Sequence, residues 1–176
     1  KVFYAHWTIK SCAVTFDRMG GTGGAASTTV SYGSSISAIT APTLSGWTFR
    51  GYTDDFSASP YLFVSASGKG TTRTITGDKT LKANWTKTVS LNANNGTAGS
   101  LASLTAGIGR PLGQKCSQVA SSHSDYPIRS LFKAGITDKS DWAPTRTGYT
   151  FAGYWSTSAS TGGTCWITED GTGKEV

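Results

Sequence analysis

Several groups of side chains in this chain carry reactive or ligating chemistry. Ser121, Ser122, His123 and Asp125 supply a hydroxyl, an imidazole and a carboxylate, the parts of a nucleophilic triad. A triad is recognised by its geometry in space, and adjacency along a chain does not deliver it, so a polar loop is the better reading. His6 and His123 are the only histidines and have no metal-ligand partner at local spacing. The carboxylate pairs Asp54-Asp55 and Glu169-Asp170 suggest glycoside chemistry or calcium. Chain neighbours in an extended segment point to opposite sides, however, and the EF-hand spacing is absent, so both pairs read as turn caps. Gly20–Gly24 and Gly162-Gly163 lack the Gly-Lys-Ser/Thr ending of a phosphate loop. No catalytic residue, metal site or cofactor is assigned.

Cys12, Cys116 and Cys165 include no close pair, which argues against zinc. Cys116 with Cys165 is one possible disulfide, and three unpaired thiols is the other reading. Trp7, Trp47, Trp85, Trp142, Trp155 and Trp166 are large enough to bind sugars or partners if exposed, and to fill a small core if buried. Trp47 and Trp85 recur with their neighbours, as shown below, and are expected in the core. Trp142 and Trp166 have no counterpart and are the candidate ligand contacts, together with Tyr126 and Arg129.

The elements that would hold these residues are short strands. Of the 176 residues 15% are charged and 11% aromatic, with 22 glycines, a mix that suits strands and turns and excludes an all-helical fold. The net charge of +6 and pI near 9.3 come from 16 Lys and Arg scattered singly. With no basic run or aromatic box, nucleic acid is excluded as a partner, and weak attraction to acidic glycans or a charged wall remains. No stretch is long and apolar enough to span a membrane. The start lacks Met and falls inside a strand-like run, so a piece of a longer chain is expected.

The organisation rests on a duplication. Ala41-Pro-Thr-Leu-Ser-Gly-Trp-Thr-Phe-Arg-Gly-Tyr52 and Ala143-Pro-Thr-Arg-Thr-Gly-Tyr-Thr-Phe-Ala-Gly-Tyr154 agree at 8 of 12 positions. Ala13–Asp17, followed by glycines, matches Thr88–Asn92, followed by Asn94-Asn-Gly96, and each predicts a strand and a turn. Ser27–Tyr32 is the returning strand. The Pro42 to Gly51 segment predicts an irregular crossover or short helical turn that drops aromatics onto a sheet. Tyr61–Val64 predicts a third strand, Thr71–Ile75 a brief edge and Leu81–Trp85 a closing strand. Lys1–Trp7 has the same alternation as Lys79–Trp85, with Phe3, Ala5 and Trp7 in place of Leu81, Ala83 and Trp85, and predicts a half-buried strand.

Val14 and Val89 are 75 residues apart, whereas Pro42 and Pro144 are 102 apart, so the second copy carries about 27 extra residues within Gly107–Trp142. They include Tyr126–Ala134, spaced for a short helix. A closing Trp for the second copy projects to about position 187, leaving its closing strand to be supplied elsewhere. Lys1–Thr8 can fill that place by strand exchange, within the molecule or in a neighbour. The expected divisions are 1–11, a closing strand of a preceding repeat; 12–87, a complete module; and 88–176, a second repeat with an insertion at about 107–142.

A V-x-F-D strand, glycines, A-P-T-x-x-G-[YW]-T-F-x-G-[YW] and T-L-x-A-x-W-T, in that order, resemble the Listeria–Bacteroides repeat, the internalin B-repeat-like module. The resemblance implies an α+β, mostly β fold of tandem small β-grasp-like modules with short strands and a crossover segment. It implies a non-enzymatic, extracellular role on the bacterial surface or in secreted proteins, as stalk, spacer, adhesion or protein-binding module. The expected structural aromatic core is Trp7, Phe16, Trp47, Phe49, Trp85, Tyr149 and Phe151. Expected partners are a host or bacterial surface protein, or a glycan; the alternative function is carbohydrate binding through exposed Trp. An intramolecular Lys–Asn isopeptide bond, used by some surface stalks, has no pair the sequence selects.

Overall fold

In β1, Ser11–Asp17, every second side chain is apolar, and Cys12, Val14 and Phe16 are buried while the residues between them face out. A computed structural model describes residues 1–54, 62–108 and 139–167. The chain falls into two compact units, Lys1–Asn84 and Trp85–Val176. The described residues are mostly β, with one short helix.

In the first unit β1 pairs antiparallel with β2, Ser27–Ser31, setting Cys12 opposite Val30. Their connection opens on an Asx turn in which the Asp17 carboxylate accepts from the Met19 N–H at 2.9 Å. Met19 takes the left-handed conformation, φ 48°, and the link then runs through glycines to Ser27 rather than closing as a tight two-residue hairpin. The short β3, Ser34–Ser35, is completed later in the chain by β6, Thr74–Ile75.

The predicted crossover is instead a strand, β4, Thr48–Thr53, paired antiparallel with β5, Leu62–Ser65. Thr48 to Thr53 carries Phe49 and Tyr52 inward, and β-competent residues on both sides of Gly51 outweigh the local breakers. Gly51 sits at φ 123°, and a Cβ on it would strike the Val64 carbonyl oxygen, so glycine is what lets β5 come close. Beyond it the ladder shifts register between Tyr52 and Thr53.

β7, Lys79–Ser90, joins what the pattern divides into a closing strand and an opening strand. Its first part pairs parallel with β1, Phe16 opposite Leu81, and the strand order is β2-β1-β7-β4-β5. The core gathers Val14, Phe16, Val30, Phe49, Tyr52, Phe63, Val64, Ile75 and Leu81. Phe16 and Phe49 both meet the Tyr52 ring, at 4.7 and 5.2 Å between centroids.

Lys1–Trp7 corrects the sequence reading. Residues 1–10 form no strand, and Trp7, expected in the core, is 91% exposed. Alternation makes a segment competent for a sheet, but burial requires an edge and an apolar face; beside β1 that place belongs to Lys79–Lys82.

In the second unit the later part of β7 pairs antiparallel with β8, Ser103–Gly107, from Thr86 opposite Gly107 to Ser90 opposite Ser103. Helix α1, Lys139–Trp142, is a single turn. β9, Tyr154–Trp155, pairs antiparallel with β10, Cys165–Ile167. The turn after β7 reproduces the one after β1: Asn92 accepts from the Asn94 N–H at 2.8 Å, and Asn94 has φ 47°. A lone reciprocal bridge joins Thr22 to Thr43 in the first unit, and another joins Thr97 to Thr145 in the second. The predicted helix at Tyr126–Ala134 lies outside the described residues.

Candidate functional site

The candidate contacts chosen from sequence do not come together. Trp142 is 5% exposed, the reverse of the expected surface platform. It ends α1, its ring meets Phe151 edge-on at 5.8 Å, and its carbonyl accepts the Tyr154 hydroxyl at 2.8 Å. The indole therefore supplies core volume to a small unit, which accounts for its burial. Trp166 is half-buried between Cys165 and Ile167 on β10. Tyr126 and Arg129 lie outside the described residues, as do Ser121, Ser122, His123, Asp125, Asp55, Glu169 and Asp170.

Of the expected aromatic core, Phe16, Phe49 and Trp85 are buried, while Trp47 and Phe151 are half-buried. Tyr149 is a further correction, at 67% exposed. Its N–H closes a turn onto the Arg146 carbonyl, and the Arg146 guanidinium lies 4.1 Å from its ring centroid. The ring is thereby held on the surface against a cation instead of against a sheet.

Cys12 is buried and Cys165 half-buried, and both are free thiols. Cys165 donates to the Ile167 carbonyl at 3.4 Å, and Cys116, the other half of the possible disulfide, lies outside the described residues. Among the described residues no three His, Cys, Asp or Glu side chains are grouped to hold a metal ion. No helix among them is long and apolar enough to cross a membrane.

Two tyrosine hydroxyls are shifted. Burial pushes the Tyr52 phenol above its ordinary pKa, against an opposing pull from Arg18 and with a smaller push from Asp17. The Tyr52 oxygen has no hydrogen-bond partner among the described residues. Burial raises Tyr154 in the same direction.

Among the described residues of the first unit, the exposed large hydrophobic side chains are Val2, Phe3, Tyr4, Trp7 and Ile9, in the segment before β1, and Tyr32. In the second unit Trp155 joins Tyr149 as an exposed aromatic. Sequence reasoning placed Trp7 and Tyr149 in the core because their repeat counterparts carry large aromatics. The half-buried state of Trp47, which aligns with Tyr149, is visible only in the structure.

Comparison with curated proteins and with solved structures returns no match. A family comparison matches residues 13–84, from β1 to the middle of β7, with the Listeria-Bacteroides repeat domain. Over that segment the chain is similar to a repeat of the Listeria-Bacteroides family.

Proposed function

We propose that the chain is a non-enzymatic repeat segment of a bacterial surface or secreted protein, acting outside the cell as a spacer that presents neighbouring domains and makes protein contacts. The observation that carries this reading is the family match over residues 13–84, since repeats of this family occur in bacterial surface proteins. The repeated turn, at Asp17 and at Asn92, and the repeated bridge, at Thr22–Thr43 and at Thr97–Thr145, support a tandem of two related modules. The strand order β2-β1-β7-β4-β5, with a parallel β1–β7 pair inside it, supports a β-grasp-like plan for the first module.

Protein contact is favoured over carbohydrate binding because Trp142, the leading candidate sugar platform, is packed against Phe151. A glycan array showing concentration-dependent binding that Trp166→Ala abolishes would restore the carbohydrate alternative. The test of location is protease shaving of intact cells that produce the chain. Peptides from residues 13–84 are expected in the released fraction; their recovery only after lysis would overturn the surface reading.

A further inference from the structure

The first strand of the first unit is β1 and its last is β7, and the two lie side by side. They run parallel, from Val14 opposite Lys79 to Asp17 opposite Lys82, with β2 and β4 flanking the pair. Tension along the chain draws Ser11 backwards along β1 and Trp85 forwards along β7. Parallel neighbours pulled in those opposite senses slide past each other instead of peeling apart. Every rung of the ladder is then strained at once, whereas a peeled antiparallel pair gives way rung by rung.

The pair is made to resist sliding. Val14, Phe16, Leu81, Ala83 and Trp85 are all buried, and a slip of one residue would turn Val14 and Phe16 to the opposite face of the sheet. Phe16 is also held from the side, its ring centroid 4.7 Å from that of Tyr52 on β4. At the end where the chain enters, the Asp78 carboxylate accepts the Ala13 N–H at 2.7 Å, a side-chain rung that prolongs the ladder beyond Val14.

We propose that the β1–β7 pair is a mechanical clamp, which carries tension across the first unit and shields residues 18–78, the chain between the two strands, from it. The tension path enters by β1, crosses the ladder and leaves by β7. Strands β2 to β6 lie on the bypassed stretch, so a surface they present keeps its shape while the chain is pulled. The use of such a clamp in a spacer rests on the surface role proposed above, and the clamp itself rests on the strand pairing alone.

The test is optical-tweezers pulling of the purified 176-residue chain through DNA handles on azide-bearing residues at two exposed positions. Handles at Ser11 and Lys87 load β1 against β7 along the strands. Handles at Ser11 and Ser31, which face each other in the antiparallel β1–β2 pair, peel that pair from its end. At one loading rate the first geometry is expected to rupture at a force at least about twofold higher than the second. It is also expected to release about 210–240 Å in a single step, the extended length between the handles less their folded separation. Equal forces, or lengthening in smaller steps before the main rupture, would overturn the proposal. Asp78→Ala is expected to lower the Ser11–Lys87 force and to leave the Ser11–Ser31 force as it is, and Asp78→Asn, which keeps an acceptor oxygen, to restore it. No change in either geometry, or an equal loss in both, counts against the clamp. Pulling on purified chain can fail while protease shaving succeeds, and the reverse, so the two proposals fall separately.

Discussion

The Tyr154 hydroxyl donates a 2.8 Å hydrogen bond to the Trp142 carbonyl, tying β9 to the end of α1. Its counterpart in the repeat, Tyr52, has a buried hydroxyl with no partner among the described residues. The two tyrosines therefore respond oppositely to loss of the oxygen. Tyr154→Phe is expected to cost about 0.5–1.5 kcal/mol of the second unit's stability, whereas Tyr52→Phe removes an unpaired polar atom and is neutral or stabilising. Urea titrations of the two variants followed by near-ultraviolet circular dichroism measure the difference; a larger loss for Tyr52→Phe would contradict it.

Alkaline stability follows from the same two residues. Burial favours the neutral phenol, so each folded-state pKa lies above the ordinary tyrosine value of 10.0. Below that value both states are protonated and the contribution is fully present. As pH rises past it the unfolded chain ionises first, binds fewer protons than the folded one, and stability falls until the folded pKa is reached. Melting temperature is expected to drop above about pH 10, with a shallower slope in Tyr52→Phe. A slope unchanged by that substitution would show that Tyr52 contributes none of the loss.

Leu81 and Trp85 face inward on β7 and are almost wholly buried. Leu81→Ala is expected to destabilise by about 2–5 kcal/mol and Trp85→Ala by about 3–5 kcal/mol. Phe3→Ala and Trp7→Ala, at the matching places of the exposed segment, are expected to change the monomer by less than about 0.5 kcal/mol. Chemical denaturation at low protein concentration separates the pairs. Equal losses at Trp7 and Trp85 would mean that the first segment is packed as the second is.

Gly51 permits the approach of β5 to β4. Gly51→Ala brings a Cβ onto the Val64 carbonyl at a backbone conformation that L residues rarely adopt. The expected loss is at least about 1–3 kcal/mol, read from the thermal midpoint. A fully retained midpoint would show that the two strands separate without penalty.

Much of the first unit is legible in its sequence. The alternation of Cys12, Val14 and Phe16 is a local property that the sheet uses unchanged, and the Asp17 turn and its Asn92 copy depend on side chains within two residues. β4 is less legible because Gly46, Gly51 and Pro42 mark breaks, while the pairing with β5 that makes it a strand is long-range. Trp7 and Trp142 fail in opposite directions for one reason. Pattern specifies which face of a residue is apolar, and only the neighbours decide whether something covers it. Trp7 matches a core residue and has no cover, whereas Trp142 matches nothing in the first copy and lies against Phe151. The candidate site was the least legible part, since exposure is set by what the rest of the chain leaves open.

The central proposal is that one module occurs twice, with a T-L-x-A-x-W strand beside β1 in the first copy and no such strand among the described residues of the second. The Phe16 N–H donates to the Ala26 carbonyl and the Leu91 N–H to the Ala102 carbonyl, both at 2.9 Å, so local bond geometry does not distinguish them. Native-state hydrogen exchange of these two amides, at concentrations where the chain is monomeric, therefore reads the contribution of that strand alone. The account predicts at least about tenfold greater protection at Phe16 than at Leu91; equal protection would contradict it.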